Sequence, residues 1–152
     1  MILKILSGGQ TGVDRAALDI AIRLGYQSGG WCPKGRKAED GPISAIYPLC
    51  ETPSDDYRER TDWNVRDSDA TLILTHDKPI GGTAFTIECA LARAKPLLLL
   101  DLSTTPDPQT VLDWVRENNI AILNVAGPRE SEVVGIYQQA GAFLTEVLKG
   151  RN

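Results

Sequence analysis

The sequence has few of the residues from which metal and redox sites are built, and it has no long hydrophobic run. Its 152 residues include one histidine, His76, so a single chain cannot supply a two-histidine metal site. The cysteines, Cys32, Cys50 and Cys89, lack the short spacing of zinc or redox motifs, and we expect reduced thiols. The apolar run at 97–100 is too short to cross a bilayer. We therefore expect no metal site and no membrane association.

Positive charge is also scarce. The 16 Lys and Arg residues are outnumbered by 20 Asp and Glu residues, which gives a formal net charge of −4. Broad nucleic-acid-binding surfaces need a basic field, so this balance argues against a nucleic-acid partner, although it permits a small local anion site. The first residues enter a strand-like stretch without the pattern of a signal peptide, and we expect a cytoplasmic protein.

The sequence does contain a regular alternation of strand and helix patterns. Short apolar runs at 1–6, 70–75, 97–101 and 121–125 predict strands, and segments with apolar residues at the helical period follow them. The continuous apolar run at 97–101 is typical of a strand that is covered on both faces. Such alternation predicts one three-layer α/β domain over residues 1–152, with a mostly parallel sheet and helices on both faces.

Residues 26–53 interrupt the alternation. Glycine and proline recur through this stretch, which predicts a short strand near 25–29 and then a long ordered loop. Loops of this length in compact domains are usually functional or disordered. Beyond the loop, Ser54 is placed to cap a helix through Tyr57 and Asn64, and Asp107 followed by Pro108 predicts the start of another helix.

A glycine-rich loop follows the first predicted strand. It consists of Gly8, Gly9, Gln10, Thr11 and Gly12. Parallel sheets bind ligands beyond the carboxyl ends of their strands, and glycine lets the backbone approach a ligand closely. The helix that begins here would aim unpaired N–H groups at a phosphate. The loop is neither a Walker A motif nor a dinucleotide fingerprint, and a tight turn that serves packing alone is the alternative.

Two further loops occupy equivalent positions. One contains Gly81, Gly82 and Thr83, between a predicted strand and a helix. The other contains Gly127, Arg129, Glu130 and Ser131. An arginine in the first turn of a helix opposes the helix dipole, so either a local ion pair with the glutamate or a bound phosphate would offset its charge. Together the three loops predict a phosphate cradle at one edge of the sheet.

Other charged and aromatic side chains are candidate ligand contacts. Trp31, Lys34 and Arg36 lie in the long loop, where cations beside an aromatic ring could clamp a phosphate or stack on a base. A solvated charged loop is the alternative. Asp14 and Arg15, one turn into the first helix, could be ligand contacts or a surface pair.

Five blocks of the sequence resemble a known family. They are residues 7–19, residues 29–41, Tyr57 with Arg60-Thr61 and Asn64-Val65, residues 81–83, and residues 123–131. These blocks resemble the family named putative molybdenum carrier, which is also described as a circularly permuted branch of the SLOG superfamily. The resemblance covers nearly the whole chain and implies a Rossmann-like fold, a nucleotide or nucleotide-derived ligand and a homo-oligomer. The molybdenum cofactor, a pterin that bears a phosphate, would also suit the predicted cradle.

These observations favour a binding or carrier protein for a phosphate-bearing small molecule. The alternative is a phosphoribohydrolase-like enzyme. Related lysine-decarboxylase-like enzymes cleave the N-glycosidic bond of nucleoside monophosphates with a Pro-Gly-Gly-x-Gly-Thr-x-x-Glu motif. In this sequence Ile80 replaces the proline and residues 83–86 depart from the motif, while Glu88 stands close to the position of the glutamate. Glu88 is thus the candidate acid–base residue of that alternative.

Overall fold

The computed structural model describes residues 1–150, so the last two residues of the expected 1–152 domain lie outside the described range. Its strands are β1 (Lys4–Leu6), β2 (Gln27–Gly29), β3 (Trp31–Cys32), β4 (Cys50–Glu51), β5 (Ala70–Thr75), β6 (Leu97–Asp101) and β7 (Ile122–Ala126). Its helices are α1 (Val13–Arg23), α2 (Tyr57–Asp67), α3 (Gly81–Ala92), α4 (Pro108–Glu117) and α5 (Ile136–Leu148). None of the helices within the described range combines the length and hydropathy needed to cross a membrane.

The predicted fold class is confirmed. Five strands form one sheet in the order β2-β1-β7-β5-β6, and every pairing in it is parallel. The chain moves one way from β1 to β2 and the other way from β5 to β6. Right-handed crossovers in opposite directions place helices on opposite faces. The result is a three-layer, Rossmann-like α/β fold.

Each face of the sheet has its own hydrophobic core. The larger core joins apolar residues of α1, α4 and α5 to Leu72 and Leu74 of β5, all of them buried. The smaller core joins Val65 of α2 to Cys89 and Ala90 of α3. A third cluster lies under the long loop, around Leu18 and Cys32. Strand β5 is buried along its whole length between these layers.

Local signals located several elements correctly. The strands at 70–75 and 97–101 have the expected bounds, and Asp107 caps α4 with Pro108 as its first residue. Gly25, whose φ is 79°, follows the C-cap Leu24 just beyond the end of helix α1. The N–H of Tyr26 donates to the carbonyl of Ala21, and that of Gly25 donates to Ile22. These two hydrogen bonds are those of a Schellman motif.

Four expectations are corrected. Asp56, not Ser54, caps α2, and its carboxylate accepts from the Arg58 N–H. The long loop contains β3 and β4, which pair in parallel as a second, two-stranded sheet. Strand β6 lies at the sheet edge with Leu99 43% exposed, so it is not covered on both faces. The last helix begins at Ile136, well beyond Arg129.

The contact between the loops after β1 and β7 generates a stability prediction. A Cβ on Gly12, whose φ is 78°, would lie 2.3 Å from the Pro128 carbonyl oxygen. Gly25 has a similar φ but nothing within 4 Å of an added Cβ. We expect Gly12→Ala to lower the free energy of unfolding by about 3 kcal/mol, through backbone strain plus a steric clash. Gly25→Ala should lower it by about 1 kcal/mol, through backbone strain alone. Urea denaturation measures both free energies of unfolding. Equal losses in the two variants would contradict a steric clash between an alanine at position 12 and Pro128.

Candidate functional site

The three loops that follow β1, β5 and β7 meet at one edge of the sheet, around a cavity of about 560 Å³. We call it the central cavity. It is lined by Gly8, Gln10, Asp14, Pro33, Lys37, Ala38, Glu39, Asp55, Asp56, Tyr57, Arg60, Thr61, Asn64, Gly81, Gly82, Thr83, Thr86, Asn124, Val125, Ala126, Gly127, Arg129 and Glu132. Segments far apart in the sequence therefore converge on one space, which lies at the carboxyl ends of the parallel strands.

Only part of the first loop lines the cavity. Gly8 and Gln10 do so, and Gly8 leaves room for a guanidinium, since an added Cβ would lie 2.7 Å from Nη1 of Arg60. Gly9 and Gly12 lie outside the lining. A Cβ on Gly9 would lie 2.5 Å from Cδ1 of Leu49, so this glycine permits the long loop to pack closely.

The N-terminus of α1 does not face the cavity as an open anion site. The N–H of Val13 donates to the carbonyl of Pro128 at 3.2 Å, so the third loop covers this helix end. Thr11 is also engaged: its hydroxyl donates to Glu39 and accepts from the N–H of Glu130 at 3.1 Å. The expectation that this helix presents free N–H groups to a ligand is corrected for the first of them, that of Val13, because the neighbouring loop already accepts from it.

The second loop is the first turn of α3. Gly81, Gly82 and Thr83 all line the cavity, and Thr83 is buried. Ile80 precedes them in an extended conformation and provides no side-chain cap. Within residues 1–150, no group accepts a hydrogen bond from the N–H of Gly81 or Gly82. This helix end therefore keeps unpaired donors and the positive end of the helix dipole beside the cavity.

The third loop divides its residues between the cavity and the chain's own structure. Gly127 and Arg129 line the cavity. Glu130 does not; its carboxylate accepts from the N–H groups of Gly135 and Tyr137 at 2.7 and 2.9 Å and so caps α5. Ser131 donates to Glu39 through its N–H and its hydroxyl. Since α5 begins after this loop, Arg129 does not lie in the first turn of that helix, and ion pairs balance its charge.

Arg129 makes two ion pairs in the structure. Its Nε lies 3.5 Å from a carboxylate oxygen of Glu39 and 3.4 Å from one of Glu132. From the sequence, Glu130 or a bound phosphate was the expected counterion. Two other glutamates take that role, one from the long loop and one from the turn that precedes α5.

The predicted contacts in the long loop lie outside the cavity lining. Trp31 donates its indole N–H to Asp67 at 2.7 Å. Arg36 donates to the backbone carbonyls of residues 43, 44, 47 and 49, which fixes the fold of the loop. Lys34 is exposed and does not line the cavity, whereas Lys37 of the same loop does. A pattern of cations along a loop does not indicate which of them turns inward.

Two more candidates lie away from the cavity. Arg15 donates to the carbonyl of Gly9 and pairs with Asp40 at 3.0 Å. Glu88 is exposed on α3 and is not among the lining residues. The Glu88 carboxylate thus lies outside the lining of the cavity, and its acid–base role stays a prediction.

Buried polar side chains form the deep wall of the cavity. Asp14 and Thr83, the latter from the second loop, were expected site residues, and the others were not. Six of the eleven buried polar residues in the described range line the cavity: Asp14, Arg60, Asn64, Thr83, Thr86 and Asn124. Buried polar side chains are concentrated here, so the wall is suited to hydrogen bonding more than to apolar contact. None of the buried side-chain nitrogen or oxygen atoms described lacks a hydrogen-bond partner.

Their positions in the sequence held a signal. Tyr57, Arg60, Thr61 and Asn64 recur at the helical period, so one face of α2 is polar where an apolar face would be expected of a helix packed on a sheet. Asn124 interrupts the apolar run of the central strand β7, and its side-chain N–H donates to Thr71 at 3.2 Å. Polar residues at positions predicted to be buried mark this wall.

Asp14 is the most unusual titratable group of the cavity. It is 8% exposed, and its carboxylate makes no ion pair within the described residues. Burial raises the pKa of Asp14 to about 6, while the charge of Arg60 and the N–H of Gln10 act in the opposite direction. Near neutral pH, this carboxyl group can therefore hold or release a proton inside the cavity.

The shifted pKa predicts a pH-dependent effect of Asp14→Asn. A carboxyl pKa that is higher in the native than in the unfolded state destabilises the native state once the group ionises, fully above pH 6 and not at all below about pH 4. We expect the Asp14→Asn variant to gain up to about 3 kcal/mol of unfolding free energy at about pH 8 and almost none below about pH 4.

Urea denaturation across this pH range measures the effect. The control is Asp40→Asn, since Arg15 lowers the pKa of the Asp40 carboxyl and the neutral variant should gain nothing at about pH 8. A gain for Asp14→Asn that did not change with pH would contradict the burial argument.

Within residues 1–150, no group of three or more His, Cys, Asp and Glu side chains is arranged to hold a metal ion. The lining of the cavity offers hydrogen-bond donors and charged side chains. Its donors are the α3 N–H groups together with Lys37, Arg60 and Arg129.

Comparison with known proteins places the chain in a family. The model of the circularly permutated YpsA SLOG family matches residues 5–148. The crystal structure of a putative molybdenum carrier protein from Syntrophus aciditrophicus SB is 46% identical and aligns with a TM-score of 0.91. The alignment covers 97% of this chain and 94% of that one. No curated protein matches. As the sequence resemblance implied, the chain belongs to the circularly permutated YpsA SLOG family.

Proposed function

We propose that this protein binds a phosphate-bearing small molecule, nucleotide-like in its chemistry, in the central cavity. The observation on which the proposal depends is the uncapped first turn of α3, whose Gly81 and Gly82 N–H groups lie in the cavity lining without acceptors in the described range. Helix N-termini with free N–H groups are favourable sites for phosphate. Lys37 and Arg60 add positive charge to the same cavity.

The other lining residues suit the rest of a nucleotide. Tyr57 is 43% exposed, lines the cavity and lies under Gly82, where an added Cβ would be 3.6 Å from its ring. An exposed aromatic ring beside phosphate donors can stack on a base. The buried Asn64, Asn124 and Asp14 offer amide and carboxyl groups to ring atoms or hydroxyls. A volume of about 560 Å³ is in the range of small-molecule sites.

Carboxylates are numerous around the cavity, but most are already paired. Glu39 and Glu132 pair with Arg129, and Asp56 pairs with Arg58 at 2.7 Å while capping α2. A carboxylate that is paired repels an incoming anion less than a free one does. This arrangement supports anion binding in spite of the acidic composition of the chain.

A role as carrier or binding protein fits the position of the carboxylates better than glycosidic bond cleavage, because Glu88 lies outside the cavity lining. The relative from Syntrophus aciditrophicus is named a putative molybdenum carrier protein. The molybdenum cofactor bears a phosphate, so it belongs to the proposed ligand class. Cytoplasmic location and homo-oligomerisation remain predictions from the sequence.

The first test compares ligands with and without a phosphate. A ligand at about 100 times its Kd stabilises the native state by about 2.7 kcal/mol, which at this chain length raises Tm by about 5–10 °C. We expect such a shift with AMP, ADP-ribose, NAD or the molybdenum cofactor, and none with adenosine. Lys37→Ala should weaken binding of the phosphate compound by about fivefold.

The matched control is Lys34→Ala, since Lys34 lies in the same loop but outside the cavity lining. It should leave the affinity unchanged. Equal losses in both lysine variants would mean that the charge of the loop acts at long range. The absence of any shift across the panel would contradict the proposal.

A second test asks whether a base stacks on Tyr57. If it does, Tyr57→Ala should weaken AMP binding by about 1–3 kcal/mol and leave the affinity for inorganic phosphate unchanged. Tyr57→Phe should bind AMP as the unchanged protein does, since it keeps the ring. Isothermal titration calorimetry gives each affinity; equal losses for AMP and phosphate would show that Tyr57 does not contact a base.

A further inference from the structure

Donors from the first and third loops converge on a single carboxylate, that of Glu39. One of its oxygens accepts from the hydroxyl of Thr11 and from the N–H of Ser131, the latter at 3.2 Å. The other accepts from the hydroxyl of Ser131 at 2.5 Å and lies 3.5 Å from Nε of Arg129. Two hydroxyls, one backbone N–H and one guanidinium thus surround one anion.

This environment favours negative charge. Burial acts to raise the pKa of Glu39, yet the hydrogen bonds from Ser131 and Thr11 and the charge of Arg129 bring it below the usual value. The side chain is only 22% exposed, although it belongs to a loop residue. Gln10 holds the backbone in place, because its side-chain oxygen accepts from the N–H of Glu39 at 2.9 Å. The chain therefore supplies an internal anion to a site built from its own donors.

The group of side chains around Glu39 adjoins the central cavity, although Thr11 and Ser131 are not themselves among its lining residues. Glu39 and Arg129 both line it, and Gln10 lies in the same lining. A phosphate that entered from the cavity would offer more acceptor oxygens than the two of a carboxylate, and it would meet the same hydroxyls, N–H group and guanidinium.

We propose that Thr11, Arg129 and Ser131 form an oxyanion subsite that adjoins the cavity behind Glu39, which Glu39 fills in the unliganded protein and which a phosphate group of the ligand takes by displacing Glu39. The inference rests on the proposed function, because it assigns a place to the phosphate of the same ligand.

The local structure allows Glu39 to leave without unfolding the loop. Arg36 holds the loop independently, through its bonds to four backbone carbonyls. Arg15 holds the next residue, Asp40, by two hydrogen bonds at 3.0 and 3.2 Å. The exchange therefore requires only that the Glu39 side chain moves and that the hydrogen bond from the Glu39 N–H to Gln10 is given up. The released carboxylate gains hydration.

The test removes the charge of the internal competitor. Glu39→Gln keeps the shape and an acceptor oxygen, so it should fold, but it no longer holds the subsite as an anion. We expect calorimetry to give about tenfold tighter binding of both inorganic phosphate and AMP to this variant, equivalent to the loss of one charge-assisted hydrogen bond by the competitor. Adenosine should gain nothing.

The matched control is Asp40→Asn. It removes the same charge from the neighbouring residue, whose partner Arg15 lies outside the cavity lining. The affinity of this variant for phosphate should stay within about twofold of that of the unchanged protein, because solvent and salt screen a distant charge. A second variant tests the donors directly: Ser131→Ala should weaken phosphate binding in the otherwise unchanged protein and in the Glu39→Gln background.

The outcomes separate this inference from the proposed function. If the unchanged protein binds AMP and Glu39→Gln has equal or weaker affinity, the subsite is wrong while the proposed ligand class stands. Equal gains for Glu39→Gln and Asp40→Asn would also overturn it, since net charge alone would explain them. If no variant binds any phosphate compound, the proposed function fails together with the inference.

Discussion

The site depends on the pairing of β1 with β7 as neighbouring parallel strands. Leu6 is in register with Asn124, so the loops that leave the two strands start side by side. They then lock together at Gly12, where the absence of a Cβ lets the Pro128 carbonyl accept from the N–H of Val13. This contact and the hydrogen bond from the Glu130 N–H to the Thr11 hydroxyl hold the two loops together, so that donors of both reach one anion.

The loops also determine which helix starts keep uncovered N–H groups. The carbonyl of Pro128 covers the start of α1, and the carboxylate of Glu130 caps α5. In the described part of the chain α3 alone, of the three helices that follow the cavity loops, begins without a covering carbonyl or carboxylate at its first N–H groups. Glycine-rich loops before helices thus look alike in the sequence but differ in whether the first N–H group of the helix already has an acceptor.

The sequence predicted those parts of the fold that short-range patterns control. The bounds of β5 and β6, the cap of α4 and the end of α1 follow from apolar runs and from Asp, Pro and Gly at fixed offsets. The convergence of the loops was also predictable, from strand alternation. The inward or outward direction of each loop side chain was not: Lys37 lines the cavity, whereas Arg36 binds carbonyls that are up to 13 residues away in the sequence.

The acidic composition of the chain illustrates the same limit. A net charge of −4 argues against broad anion-binding surfaces, yet it says nothing about a carboxylate that is itself enclosed by donors. Glu39 and Asp40 are adjacent acidic residues of one loop, and the sequence does not distinguish them. In the structure, however, Glu39 accepts from donors of two loops, whereas Asp40 pairs with Arg15. What an acidic residue contributes to ligand binding depends on whether its partners are also the ligand's partners, because only then does its removal free a site. That distinction is set by how the long loop packs, with Gln10 binding the backbone of Glu39 and Arg15 binding Asp40, and no spacing within the loop encodes it.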